Sequence, residues 1–345
     1  MKHSDGLMSS YFECGFFKEP KQNQEEFSVL QEEILFHRLK NSGEAIFNKL
    51  SVKYICRWKK HASWDPQLPA IIIPIKDNTE LLEKTLTNLR TMLVSVKSNV
   101  IVVDDRSATN IASVATNFGV SYLRVDNSKG FNFSMLNNIA VKLSHDEGCR
   151  EVIFWNSDLW CAKEEWFDEL LKRHRETKSV VSGAKLVYPP EGVSFTIGDP
   201  ENMVNNFPHL AGRWRETVQF GGSAWVQDTN SSALHKFPAH YGRFFTIEDP
   251  RVNNDKGVDF VTGALHVWSA ARFIEMGGFN PSLSKNFQDV DVCTRVLKSG
   301  DVPMYFGKDI FFYHDESVSL EKEGKQDSQL FSDLILYGKI WNNKQ

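Results

Sequence analysis

Cysteine is scarce in this 345-residue chain: Cys14, Cys56, Cys149, Cys161 and Cys293 are odd in number and scattered, with no CxxC pair. That argues against a disulfide frame or a thiolate zinc site and predicts free thiols in a reducing compartment. Long apolar runs are missing too. No stretch reaches the roughly 18 residues that a spanning helix needs, and the start, MKHSDGLMSSYFECGF, has no continuous apolar segment of the secretory type. Charge of one sign is also absent. Forty Lys and Arg against 44 Asp and Glu leave a formal net charge of −4, which argues against nucleic-acid binding as the main activity. Neither GxGxxG nor GxxxxGKS occurs, so neither glycine-rich phosphate cradle is available. A dinucleotide-dependent oxidoreductase loses its fingerprint with the first of these. The absences together predict a cytoplasmic protein. A nucleotide diphosphate bound to it would need a neutralising group other than a glycine loop.

Aromatic residues, by contrast, are plentiful: 25 Phe and 9 Trp can fill a large core. Residues 1–66 are polar, and QEEFSVLQEEILFHRL spaces Phe27, Leu30, Ile34, Leu35 and Leu39 as a helix would, which predicts a helical N-terminal extension. KYICRWKKHASW then mixes Lys53, Arg57, Lys59 and Lys60 with Tyr54, Trp58 and Trp64. Such a stretch is either a solvated face packing its aromatics on the main domain or a peripheral contact with an anionic membrane. Oligomerisation is another role open to this extension.

From Pro69 the pattern changes. PAIIIPI, NVIVVDD, VSYLRVD and EVIFWNSD are short apolar runs separated by helical periodicities, the first of which starts at Asn78/Thr79 and the second of which stops at Gly119. Alternation of this kind predicts an α/β domain over 67–319, with a mostly parallel central sheet flanked by helices. Ligands in such sheets sit outside the carboxyl ends of the strands. Lys76/Asp77, Asp104/Asp105, Asp126 and Asn156/Asp158 therefore fall along one rim. Residues 189–257 show little periodicity and read as a functional loop or excursion. Residues 320–345 read as a tail with a short amphipathic helix, SDLILYGKIW.

Two constellations can carry chemistry. Asp158 surfaces at the end of the fourth apolar run, and His314 follows another in FFYHDES. A carboxylate and an imidazole together suit a divalent cation, Mn²⁺ or Mg²⁺. QDVD, residues 288–291, opens a predicted helix. Its acids either favour the helix dipole or supply a general base to an acceptor hydroxyl.

In order along the chain, IIIPIKDNTELLEKTLTNL, VIVVDDRS, KGFNFSMLNNIAV, IFWNSDLW, FVTGALHVWSAARFIEMGGFN, NFQDVDVCTRVLKSG and YHDESVS resemble the motifs of GT-A-fold (Rossmann-like) family 2 glycosyltransferases. The resemblance runs from Ala70 to Ser319. VQFGGSAWV, HKF and YGRF resemble the bacterial branch that builds surface polysaccharide, including rhamnosyl- and galactosyltransferases. The resemblance implies a nucleotide-sugar donor (UDP- or dTDP-sugar), a glycan or lipid-linked acceptor, and inversion at the anomeric carbon. It implies that Pro74, Lys76, Asp77 and Asp105 hold the nucleotide, with Asp105 reading the base edge. Asn156-Ser157-Asp158 falls on the DxD motif, with Asn156 and Ser157 beside the nucleotide and Asp158 on the metal. His314 completes the metal site, and Asp289 is the base. Gly263, Gln288 and Asp291 lie where sugars are held. Three positions depart from the family pattern: Asn156 replaces an Asp, Gln288 a Glu, and Lys76 a common aromatic. The first two also admit a nucleotide-sugar or carbohydrate-binding module that has lost turnover.

Overall fold

A computed structural model describes residues 26–39, 45–93, 97–126, 130–190, 215–226, 237–315 and 326–341. The strands are β1 (Glu26–Leu39), β2 (Ala45–Lys59), β3 (Ala70–Ile75), β4 (Asn99–Asp104), β5 (Ser121–Asp126), β6 (Glu151–Trp155), β7 (Leu159–Trp160), β8 (Val181–Ala184), β9 (Leu186–Val187), β10 (Val218–Phe220), β11 (Ser223–Val226), β12 (Phe237–His240), β13 (Asp255–Gly257), β14 (Leu265–Ser269), β15 (Met304–Phe306) and β16 (Phe312–His314). The helices are α1 (Thr79–Met92), α2 (Ile111–Phe118), α3 (Phe133–Asp146), α4 (Glu164–Thr177), α5 (Ala270–Glu275), α6 (Gln288–Ser299) and α7 (Gln326–Trp341). None of these helices is long and apolar enough to cross a membrane.

The central sheet has the order β1-β2-β5-β4-β3-β6-β14-β8-β15-β13. Within it β5, β4, β3 and β6 are parallel, as the alternating pattern predicts. Their near-continuous apolar runs are explained by burial on both faces: Ile71, Ile72, Ile73, Ile101, Val102 and Val103 are fully enclosed. The order reverses at β3, which pairs with β4 on one side and β6 on the other. Such a switch point opens a crevice at the carboxyl ends of the strands. Here the β3–β6 ladder runs only from Ala70↔Val152 to Ile72↔Phe154, whereas β3 stays paired with β4 as far as Ile75↔Asp104. Pro74, which has no N–H to donate, sits past the last β6 pair, so its missing donor costs nothing there.

Local signals set the helix ends. Asn78, Asn110 and Asn132 cap α1, α2 and α3, each side-chain oxygen accepting a backbone N–H from the first turn. Gly119 ends α2 in the left-handed region at φ 68°. Helix α3 is nearly all buried, and its polar residues bond across to the segment before α6. Asn138 donates to the Phe279 carbonyl at 2.8 Å and accepts the Phe279 N–H at 2.9 Å. Asn132 donates to the Pro281 carbonyl at 2.8 Å, and Ser134 to that of Leu283 at 2.5 Å.

The predicted helical extension is corrected over residues 26–59. These form β1 and β2, an antiparallel pair that joins the sheet edge through β2 against β5. LSVKYICRWK alternates with period two, the strand signature that a reading centred on its charge passes over. The helical spacing of 27–39 yields to pairing with that neighbour, since tertiary context overrides local propensity. Residues 1–25 and 40–44 lie outside the described residues, as do 316–319 of the predicted domain and 320–325 and 342–345 of the predicted tail.

Replacing Asn138 by Ala strands a buried N–H and a buried carbonyl on Phe279. Urea unfolding of Asn138→Ala is expected to show a loss of about 2–4 kcal/mol, set by two unsatisfied backbone groups.

Candidate active site at the sheet switch point

Three loops follow the strands at the crevice, and each is held by hydrogen bonds. After β3, Asp77 adopts a left-handed backbone at φ 52°. Its N–H donates to Ser107 Oγ at 2.9 Å, and its carboxylate accepts the Ala108 N–H at 2.5 Å. Asp77 thus ties the first loop to the second and is engaged as a brace. After β4, the paired acids part company. Asp104 is saturated: it accepts from Tyr122 at 2.5 Å, Arg124 at 3.1 Å and the Ser107 N–H at 2.8 Å. Asp105 is 1% exposed, yet neither carboxylate oxygen has a hydrogen-bond partner among the described residues. Lys76 Nζ stands 3.7 Å from Asp105 Oδ2. Burial pushes the Asp105 carboxyl up to about 6; Lys76 pulls it back, and Asp104 adds to the rise. A buried carboxylate kept next to one cation and offered no donor is prepared for a donor from outside.

After β6 the chain turns tightly. Trp155 Nε1 donates to the Leu159 carbonyl at 2.9 Å, the Leu159 N–H to the Asn156 carbonyl at 3.1 Å, and the Thr85 hydroxyl of α1 to the Ser157 carbonyl. Ser157 is therefore fixed through its backbone. Strand β7 then pairs with β16 so that Leu159 faces His314. This register brings Asp158 Oδ1 to 3.1 Å from His314 Nε2, with Asn156 Nδ2 at 3.5 Å from the same nitrogen. Both Asp158 and His314 are buried.

Gln219, on β10, lies in the VQFGGSAWV stretch, which gave it no role by itself. Its Oε1 lies 2.8 Å from His314 Nδ1, and its Nε2 has no partner among the described residues. Because an amide oxygen only accepts, Nδ1 carries the hydrogen and Nε2 points its lone pair at Asp158. Two lone-pair atoms 3.1 Å apart call for a shared cation, either a proton or a metal ion. Among the described residues no group of three or more His, Cys, Asp or Glu converges. Asp158 and His314 are an oxygen and an imidazole nitrogen donor, of the kinds that Mn²⁺ accepts.

The QDVD turn is tied to the same region through Gly263, whose neighbour Ala264 accepts the Asn156 N–H at 3.0 Å. Asp289 opens α6; its Oδ2 accepts the Gly263 N–H at 2.7 Å and its Oδ1 the Val290 N–H at 2.8 Å. It has no ion-pair partner among the described residues, and burial pushes its carboxyl above the usual range while the backbone N–H groups of Gly263, Val290 and Asp289 itself oppose the rise. A Cβ on Gly263 would stand 3.4 Å from Asp289 Oδ2 and from Gln288 Nε2, within ordinary contact. Gln288 is buried, with an Oε1 that has no partner among the described residues. Asp291 differs: it pairs with Arg295 at 2.7 Å and accepts from Trp341 Nε1 at 2.9 Å, so it is spent on structure.

The turn itself is strained. Phe287, just before α6, sits at φ 62°, a conformation that costs a non-glycine residue about 1–3 kcal/mol. Helix α7, which the sequence pattern places in a tail, holds it there. Tyr337 stacks on Phe287 with centroids 5.7 Å apart, and buried Asp333 accepts the Asn286 N–H at 3.0 Å.

Residues 70–228 match the family model described as Glycosyl transferase family 2. No curated protein gives a significant match. Similar solved structures include GalNAc-T7 with UDP, GalNAc and Mn²⁺, at 12% identity over 72% of this chain and 44% of that one, with a TM-score of 0.48. They also include S. aureus TarS, at 15% identity over 73% of this chain and 37% of that one, with a TM-score of 0.45. The mannosyltransferase PcManGT from Pyrobaculum calidifontis, in complex with GDP-Man and Mn²⁺, is similar at 14% identity over 74% of this chain and 60% of that one, with a TM-score of 0.44. The chain spans less than half the length of the first two. The part of the chain that matches glycosyl transferase family 2, residues 70–228, holds the crevice and its Asp105 and Asp158 loops.

Proposed function

We propose that the chain transfers a sugar from a UDP- or dTDP-sugar to a hydroxyl of a glycan or lipid-linked glycan, with inversion and with the help of a divalent cation. Surface polysaccharide synthesis at the cytoplasmic face of a membrane is the setting that fits such an acceptor. The observation that carries the reading is the convergence of Asp158 and His314 at the switch-point crevice, 3.1 Å apart and oriented by Gln219. When bound there, a divalent cation neutralises the charge that develops on a diphosphate leaving group. Asp105 accepts an N–H from the base edge, and Lys76 beside it donates to a neighbouring carbonyl of the base. Asp289 takes the proton of the attacking hydroxyl. Its burial supports this role, because a base with a raised pKa holds the proton more strongly. Asn156, in place of a second acid, leaves the site with one carboxylate and predicts modest metal affinity.

Nucleoside diphosphate release from UDP-, dTDP- and GDP-sugars with Mn²⁺ tests the reading directly. Slow donor hydrolysis is expected, abolished by EDTA and by Asp158→Ala. Tight donor binding with no release under any acceptor would instead make the chain a binding module. In Asp289→Asn, transfer is expected to fall by about 10²–10⁴-fold, the share of a general base, with donor affinity within about two-fold; retained transfer removes Asp289 as the base.

The base pocket gives a pH signature. A carboxylate that accepts an N–H is favoured in its charged form, so binding lowers the Asp105 pKa from about 6 and releases a proton. Uridine affinity measured by calorimetry is therefore expected to rise as pH increases from 5 to 7. The slope should vanish in Asp105→Asn; a flat wild-type profile removes Asp105 from the base contact.

A further inference from the structure

Under the proposed function Asp289 takes the acceptor's proton, and a single base cannot hold a saccharide in place. Among the described residues three large apolar side chains are exposed, Trp225, Val302 and Ile335, and Trp225 is the one aromatic among them, at 37%. It lies on β11, whose hairpin partner β12 sets Pro238 opposite it. The indole is held on two sides. Its Nε1–H donates to Asp259 Oδ2 at 2.7 Å, and its ring meets Phe260 edge-on, with centroids 6.0 Å apart at 81°. Asp259 is in turn fixed, its N–H donating to Ser223 Oγ at 2.8 Å on the same hairpin.

The chain links this indole to the base. Asp259 and Phe260 lead directly to Gly263, whose N–H donates to Asp289 Oδ2. Four residues span at most about 14 Å, so Asp259 lies within the length of a few sugar rings of the Gly263–Asp289 contact. An aromatic ring carries negative charge on its face and attracts the C–H face of a pyranose, while a carboxylate at the ring edge can accept sugar hydroxyls. A side chain that merely pinned the hairpin would be buried by it. Trp225 is pinned along its edge and remains exposed.

We propose that Trp225, oriented by Asp259, is the stacking platform for the acceptor saccharide, taking the ring next to the one that carries the attacking hydroxyl. The inference rests on the glycosyltransferase reading of the Asp289 site. It names a neutral pyranose with an apolar face as the occupant.

Saturation-transfer NMR on the full chain with lactose, cellobiose, maltose and chitobiose tests it, in parallel with calorimetry of UDP and Mn²⁺. At least one disaccharide is expected to bind, with saturation concentrated on one ring face. Loss of a stacking contact in Trp225→Ala should weaken that binding by about five- to ten-fold, with UDP affinity unchanged and Trp225→Phe retaining most of it. Asp259→Asn keeps the indole in its hairpin and gives a second variant, also expected to weaken binding. Absence of binding for all four disaccharides, or equal binding in Trp225→Ala, overturns the platform. Failure of UDP and Mn²⁺ to bind, with a Trp225-dependent disaccharide signal intact, overturns the glycosyltransferase reading instead.

Discussion

Beyond the Ile72↔Phe154 pair, β3 and β6 share no further ladder, and the candidate site depends on that parting. A parallel sheet that reverses its strand order cannot cover the carboxyl ends on both sides of the reversal with one crossover. Pro74 fits the parting, since it has no N–H to offer a neighbouring strand. The two chains then turn apart, one into Lys76 and Asp77, the other into Asn156, Ser157 and Asp158. The residues proposed for the nucleotide lie on these two turns or on the adjacent ends of β3 and β4, while His314 comes from β16.

The acids around the crevice divide by their partners. Asp104 accepts from Tyr122, Arg124 and a backbone N–H, and Asp291 is shared between Arg295 and Trp341. These carboxylates are satisfied and hold loops in place. Among the described residues Asp105 has Lys76 at 3.7 Å and no hydrogen-bond donor, Asp158 faces a histidine nitrogen, and Asp289 accepts from backbone N–H groups. Keeping such groups in a folded protein costs stability, because a buried charge without full compensation is unfavourable. That cost is expected where an incoming ligand completes the set.

The acidic turn shows how distant segments share the load. Phe287 is held at a positive φ by Tyr337 and Asp333 of α7, and the segment before it is stitched to α3 through Asn132, Ser134 and Asn138. A strained conformation persists only when its surroundings over-determine it. Here two helices, one before and one after the turn, do so.

The parallel core was legible in the sequence because β-branched runs and asparagine caps act locally, and IIIPI, VIVVDD and EVIFW need only burial to become strands. Asp105, Asp158 and His314 were legible as residue types at strand ends, and the family motifs added roles to them. Several matters were not legible. Gln219 sits in a stretch without periodicity and gains meaning only because β9 and β16 bring His314 against it. Asp104 and Asp105 look alike in VVDD, and only the positions of Tyr122 and Arg124 distinguish a brace from an open acceptor. Residues 26–39 carry helical spacing yet form a strand, since the alternating LSVKYICRWK beside them supplies backbone partners. Local chemistry is written residue by residue, whereas satisfaction of a buried polar group depends on what arrives from elsewhere in the chain. Which acid is saturated and which is left open was therefore decided by the tertiary structure.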